Sequence, residues 1–504
     1  MARLNFLIVL IVLCTAGEAQ KLSTARIQKL SLEKLPKALA DFRIFLGMPN
    51  DGNYREQVQT NLDWCRATFL SKGFEVTELQ TEGMPLLLAE LKSKKSARTV
   101  LFYNQIDGQP VDATTWAQEN PFMAVMKEMH SDGTWHAREW PSSNINPEWR
   151  VYARSAADSK GPAMMLMQAL DIIREQKINP EFNIKIIMDF QEEKGSPDLP
   201  EVVEKYSDRL ATDFLVIMDG VRSVKNVPTL TFGARGIATI TLKIFGPKSD
   251  AHSGQFGNYV PNPVFAAARL LASMKDEQGR VLIPGFYDGI ALSEEEKKIL
   301  NRVPDDPEEQ GATLGIAKPE AVGATYQEAL QFPTLNIRGM QAAKVGKEAR
   351  TIIPSEVVIE MDLRLVQETE GKHQVDLVKQ FIVGQGFHLV DGEPNAAERA
   401  SYEKLASFHA TLGSVPFRTS YDSPLGVWLS SAVLRATGQV PIKLRTTGGS
   451  QPIAPFVNTL KVPAISVRIP NPGSNIHASD ENIRVGNFLE GIQTCLGILT
   501  EPIK

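Results

Sequence analysis

Residues able to bind metal or move protons gather at four places in this chain, each directly after a short apolar run. Residues 99–103 (TVLFY) lead into Asn104, Gln105, Ile106 and Asp107. Residues 184–188 (IKIIM) lead into Asp189, Phe190, Gln191, Glu192 and Glu193. Residues 214–218 (FLVIM) lead into Asp219, and residues 464–469 (AISVRI) into a Pro, Asn and Gly stretch that ends at His477. Apolar runs of this length between turn signals read as buried strands. In an open α/β sheet, ligands bind beyond the carboxyl ends of the strands. Four strand ends would thus bring carboxylates, an amide and an imidazole to one edge. Carboxylates so crowded repel one another, and a divalent metal or a pair of them is the natural counter-charge. Taken singly, each residue is ordinary: Glu192-Glu193 suits a solvated loop or a helix N-terminus, and an Asp after a strand is commonly a helix cap. The combination is what points to a site. Of the seven histidines, His373, His388 and His409 stand in plain helical or strand contexts and read as surface.

The elements that must position these residues follow from periodicity. The four apolar runs alternate with helical patterns such as residues 162–176, whose Met165, Met167, Ala169, Ile172 and Ile173 fall mostly on one side. Strands alternating with helices predict a mainly parallel α/β sheet. The middle of the chain differs. Residues 237–245 (IATITLKIF) and 356–365 (EVVIEMDLRL) alternate with period two, which predicts half-exposed antiparallel strands. They accompany helical stretches at 263–275 and 374–384, and α/β character returns from about residue 416. The fold class predicted is α/β, with a mainly parallel catalytic sheet and an inserted α+β lid or dimerisation unit of ferredoxin-like type. The expected boundaries are 20–235 and 414–504 for the two parts of the catalytic domain and 236–413 for the insertion. The acidic stretches at 294–298 and 305–309 read as solvated surface or loop.

Composition narrows the chemistry. The chain has 504 residues, 43% hydrophobic and 22% charged, which is average for a globular protein and leaves out disordered and collagen-like classes. Lys and Arg number 54 against 59 acids, a formal charge of -5 that carries no nucleic-acid footprint. With only Cys14, Cys65 and Cys495, metal ligation must come from oxygen and nitrogen. At the N-terminus, Arg3, the apolar residues 4–13 and the small residues Gly17 and Ala19 form a secretory leader pattern, too short to span a bilayer. A secreted or periplasmic location is expected after removal of 1–19, with no membrane contact thereafter. Cys65 and Cys495 then remain, either as one disulfide or as two buried thiols.

These residues resemble the co-catalytic zinc metallopeptidases that include carnosinase and related dipeptidases, aminoacylase and carboxypeptidase G. Residues 104–110 (NQIDGQP) are similar to the family's Gly-His-x-Asp-Val-x-Pro, residues 152–162 (YARSAADSKGP) to Tyr-Gly-Arg-Gly-x-x-Asp-Asp-Lys-Gly-Pro, and residues 191–196 (QEEKGS) to Glu-Glu-Glu-x-Gly-Ser. Further matches follow in order: 250–257 (DAHSGQFG), 283–288 (IPGFYD), 351–354 (TIIP), Arg364 in DLRLV, 448–452 (GGSQP) and 477–481 (HASDE). The likeness runs from about residue 35 to the C-terminus, and the DAHSG motif with the long insertion places it near the carnosinase-like branch.

The resemblance implies roles by position. Asp158 would bridge two zinc ions, Glu193 and His477 would complete the first site, and Asp219 would serve the second. Glu192 would be the general base, and Asp107 would orient the ligand two residues before it. Arg364 would clamp a substrate carboxylate, Gly449 and Ser450 would hold the substrate backbone, and His252 would stabilise the oxyanion, reaching the neighbouring subunit of a homodimer. The chain also departs from the family. Its first ligand histidine is Gln105 here, Gly-Arg-Gly is Ala153-Arg154-Ser155, and the second Asp is Ser159. A neutral amide oxygen is a poorer zinc ligand than imidazole, so the second metal is expected to be weak, absent or a harder ion such as manganese, unless His130 or His136 substitutes. The implied activity is hydrolysis of a dipeptide or of a terminal amino acid amide. An N-acyl-amino-acid amidohydrolase, or a degenerate non-catalytic homologue in which Gln105 stands for the expected histidine, are the alternatives.

Overall fold

The computed structural model describes residues 21–94, 97–141 and 143–503. The leader read at 1–19, and Cys14 with it, lies outside the described residues. The largest sheet has eight strands in the order Glu75–Leu79, Leu86–Leu91, Asn183–Asp189, Thr99–Gln105, Phe214–Ile217, Ala464–Arg468, Thr229–Thr231 and Ile442–Leu444. The four apolar runs are its centre, side by side and all parallel. The outer strands Leu86–Leu91 and Thr229–Thr231 run antiparallel to their inner neighbours. The central strands are buried along nearly their whole length, as a sheet covered on both faces requires. One face packs under the helices Thr24–Leu46, Lys160–Glu175, Pro424–Thr437 and Val485–Leu499; the other packs under the shorter Leu199–Lys205 and Ala454–Leu460. Lys160–Glu175 is buried around most of its circumference, so its sequence is apolar on more than one stripe. Cys65 and Cys495 are both free and both buried in this core, and burial pushes the Cys65 thiol up to about 12. No helix among the described residues is long and apolar enough to cross a membrane.

The second sheet is drawn from residues 236–412 and has its own core. Its order is Thr334–Gln341, Glu356–Leu365, Gly236–Phe245, Leu405–Leu412 and His388–Val390. All its pairings are antiparallel except the last, which is parallel. The period-two reading holds residue by residue. Ala238, Ile240, Leu242 and Ile244 point inward with Val357, Ile359, Met361 and Leu363, while Thr241 donates to Glu360 on the outer face. Helices Pro263–Met274 and Gly371–Gly384 cover the inner face. The acidic stretches are helix starts: Ser293 and Glu296 form a reciprocal cap on Glu294–Leu300, and Asp306 caps Pro307–Leu314.

A third sheet was not foreseen. Trp135–Arg138, Val125–Met129, Arg150–Tyr152 and Asn482–Arg484 form four short antiparallel strands. They are three to five residues long and carry no clean alternation, so periodicity could not reveal them. Their role is geometric. Pairing of Arg150–Tyr152 with Asn482–Arg484 brings the loop that carries Asp158 against the loop that carries His477.

Candidate active site and metal centre

Three ligand atoms converge beyond the carboxyl edge of the parallel strands. His477 Nε2 lies 3.1 Å from Asp158 Oδ2 and 3.2 Å from Glu193 Oε2. Glu193 sits in the single turn Glu192–Lys194 that follows Asn183–Asp189, and Gly195 ends that turn at a φ of 79°, a conformation glycine adopts freely. Asp158 is on the loop entering helix Lys160–Glu175, and His477 is itself left-handed, with φ 60°. Hydrogen bonds to Asp158 and Glu193 push the His477 imidazole up to about 10. The donor set fits a divalent ion: two carboxylate oxygens and one imidazole nitrogen lie within 4.8 Å of one another.

Each ligand is held from behind. Glu481 is fully buried and accepts from Arg154 Nη1 at 2.8 Å and from the N–H groups of Ser155, Ala157 and Asp158 at 2.8–2.9 Å, which fixes the Asp158 loop. Gln109 Nε2 donates to Glu193 Oε2 at 2.7 Å. Asp189 accepts from Tyr103, Ser196 and the Gln191 N–H, which anchors the turn before Glu192. Asp107 corrects an expectation. Its carboxylate accepts from the N–H groups of Glu192 and Glu193, each at 3.0 Å, so it orients the acidic turn and not Gln105. Gly108 lets these parts meet, because a Cβ there would fall 2.2 Å from Ser155 Oγ. Ser155 has φ 63°, a left-handed conformation, at a position where the resembled family has glycine.

The residues expected at a second metal site are near the first but engaged otherwise. Gln105 Nε2 donates to Asp158 Oδ1 at 2.7 Å, and Gln451 Nε2 donates to Asp219 Oδ2 at 2.9 Å. Burial and the charge of Asp158 push Asp219 up to about 6. Glu192 is raised well above the usual carboxylate range by burial, then by Asp219, Asp158, Glu193 and Asp107. The idea that His130 or His136 replaces the missing imidazole fails. Both belong to the third sheet's hairpin, where their rings stack at 4.0 Å and His136 shares a hydrogen bond with Thr134.

Glu192, Glu193, Gln109 and His477 line a cavity of about 800 Å³ whose far wall includes Ser450 and Gln451. Arg364 reaches that wall from the second sheet: its Nη1 donates to Ser450 Oγ at 3.0 Å. Gly449 lies between Ser450 and Gly448, whose carbonyl accepts from Arg235 Nε at 3.1 Å. Burial and the charge of Arg364 push Arg235 down to about 10. His252 is exposed, is absent from the cavity lining, and accepts from the Gly254 N–H through Nδ1. Sequence reasoning missed Gln109, Arg235, Gln451 and Glu481 as supporting residues. Only their places inside the quoted motifs or beside a strand start signalled them.

Carboxylates and an imidazole at the mouth of a cavity, on the carboxyl edge of parallel strands, make this a metallohydrolase site. Residues 101–501 match peptidase family M20/M25/M40, and the chain belongs to that family of metallopeptidases. Human Beta-Ala-His dipeptidase is 29% identical over 415 residues, covering 81% of this chain and 75% of that protein. Cys-Gly metallodipeptidase dug1 of Schizosaccharomyces pombe is 27% identical over 419 residues, 81% of each chain. The M20 family metallo-carboxypeptidase Sso-CP2 from Sulfolobus solfataricus superposes with a TM-score of 0.74 at 26% identity, over 92% of this chain and 99% of that one.

Because Glu481 carries a buried charge pair and three backbone donors, Glu481→Gln should destabilise the protein by about 3–5 kcal/mol. Urea unfolding of metal-free protein measures it. A loss within the error of the extrapolation would mean that the Asp158 loop is held by something else.

Proposed function

We propose that this chain hydrolyses the amide bond of dipeptides, or of the terminal residue of a short peptide, with Glu192 as general base. The observation that carries the reading is the placement of a raised, half-buried Glu192 beside the Asp158, Glu193 and His477 cluster, across a cavity from Arg364 and Ser450. Zinc is the expected ion, with manganese as the alternative; bound there, it would polarise the scissile carbonyl and acidify water. Glu192 takes the proton from the attacking water, the carbon–oxygen bond forms, and Glu192 returns that proton to the amine as the carbon–nitrogen bond breaks. A carboxyl raised by burial and by its acidic neighbours is suited to both halves of that exchange.

Arg364 offers its guanidinium fork to the substrate carboxylate, with Ser450 and the backbone at Gly449 beside it. The fork requires only a carboxylate, so N-acyl amino acids are the second substrate class. A hydrolysis screen over dipeptides and N-acetyl amino acids separates the two, and turnover of neither would leave a binding protein. His252 is exposed and outside its own cavity, which suits action on the oxyanion in a partner subunit's site. The homodimer this needs would pair through the second sheet, whose outermost strand Thr334–Gln341 exposes Ile337 and Met340.

Glu192→Gln should retain bound zinc by elemental analysis and lose about 10²–10⁴-fold in kcat; undiminished kcat would reject the base assignment. Arg364→Lys should raise KM for free-acid dipeptides and leave their carboxamides unaffected, since an ammonium cannot make the paired fork. Wild-type enzyme that treats acid and carboxamide alike would remove the clamp. Mixing His252→Ala with Glu192→Gln subunits should recover part of the activity in verified heterodimers, and none if His252 acts within its own chain.

A further inference from the structure

The resemblance implies two zinc ions, yet the second position does not fit one on this chain. Asp158 Oδ2 is turned to His477, which leaves Oδ1 for a second ion, and Asp219 is the other carboxylate expected there. Asp158 Oδ1 accepts from Gln105 Nε2 at 2.7 Å and from Ser159 Oγ at 2.7 Å. Asp219 Oδ2 accepts from Gln451 Nε2 at 2.9 Å. These are direct hydrogen-bond lengths.

Two of the three donors stand where the resembled family differs. At 105 an imidazole has become an amide, and at 159 a carboxylate has become a hydroxyl. Both changes replace a group that binds cations with one that donates a proton to a carboxylate. Charge is also supplied. Arg468, on the neighbouring strand Ala464–Arg468, acts on Asp219 as a positive charge while its Nη1 donates to the Val221 carbonyl. Gln105 has little freedom to rearrange. It is 3% exposed and ends a strand that is paired with Asn183–Asp189 up to the Gln105–Asp189 register. Its Oε1 is buried without a partner. Turning that oxygen to Asp158 would set two acceptors against each other and forfeit a charge-assisted bond.

We propose that the centre holds one divalent ion, on Asp158, Glu193 and His477, and that Gln105, Ser159, Gln451 and Arg468 together replace the second. The proposal rests on the metallopeptidase reading for the first ion and deepens it.

The test is zinc titration of metal-stripped full-length protein, with ions counted by native mass spectrometry after desalting. Wild type should retain one equivalent, and Gln105→His, or Gln105→His combined with Ser159→Asp, should retain two. Two retained equivalents in wild type would overturn the proposal, unless the second disappears in a His130→Ala/His136→Ala variant, which marks it as surface binding and leaves the proposal standing. One equivalent in wild type and in both variants would show that Gln105 and Ser159 do not exclude the second ion. No retained equivalent would overturn the first-site reading itself, a different result from two. Should the variants fail to fold, the wild-type count decides alone.

Discussion

Asp107, Asp158, Glu192, Glu193 and Asp219 share one edge of a buried sheet, and their mutual repulsion is the constraint that the surrounding structure answers. Two unit charges about 4 Å apart at an effective dielectric of about 20 repel by about 4 kcal/mol. Such a cluster persists only if donors and cations are built around it. Backbone N–H groups of the acidic turn satisfy Asp107, the His477 proton or a metal satisfies Asp158 and Glu193, and Gln451 with Arg468 satisfies Asp219. Glu192 alone among them has no hydrogen-bond donor on its carboxylate in the described structure; burial and the neighbouring carboxylates raise both Glu192 and Asp107 well above the usual carboxylate range.

The fold solves the delivery problem by topology. Four parallel strands end at one level, so Asp107 and Asp219, just past their strands, and Glu192 and Glu193, in the turn after theirs, reach the common edge directly, while His477 arrives on a longer loop after Ala464–Arg468. Asp158 comes from elsewhere, and its loop must be tied to the His477 loop by separate means. The small third sheet and the buried Glu481 do this together, one through strand pairing and the other through a carboxylate that gathers the N–H groups of Ser155, Ala157 and Asp158 and the Arg154 guanidinium. The second sheet contributes from across the cavity, where Arg364 at the end of Glu356–Leu365 meets Ser450. Arg364 and the acidic turn that carries Glu192 thus sit on two separately packed cores, joined at the cavity wall.

What could be read from the sequence was what periodicity and strand-end chemistry encode. The four central strands announced themselves as apolar runs because both of their faces are covered, and the two ten-residue strands of the second sheet announced themselves by alternation because one face is not. The candidate ligands Asp158, Glu193 and His477 were picked out by ordered motifs, and their donor atoms lie within 4.8 Å of one another. The third sheet was not legible, since strands of a few residues carry no period. Glu481 was not legible either: a glutamate in a polar stretch gives no sign that it will be fully buried among loop amides. The misplaced role of Asp107 shows the same limit. Its spacing from Gln105 suggested a partner two residues back, but in a strand-end turn the nearer donors belong to the adjacent strand's acidic turn.

Gln105 shows how a single side chain can alter the electrostatics of such an edge without altering the fold. At the end of a central parallel strand its Cα is fixed by pairing with Asn183–Asp189, so any side chain there is aimed at Asp158. An imidazole at that point has a nitrogen lone pair to share with a cation, and a carboxylate opposite then needs the cation to offset its charge. An amide presents an N–H instead, and the carboxylate is satisfied directly. A neutral donor cannot match the field of a divalent ion, which is why further donors are found on the same two carboxylates and a guanidinium beside Asp219. The cost is one buried amide oxygen without a partner, about 1–3 kcal/mol for a group of that kind. A large protein core tolerates that penalty, whereas two adjacent carboxylates with neither cation nor donor would not remain ionised at the edge of this sheet.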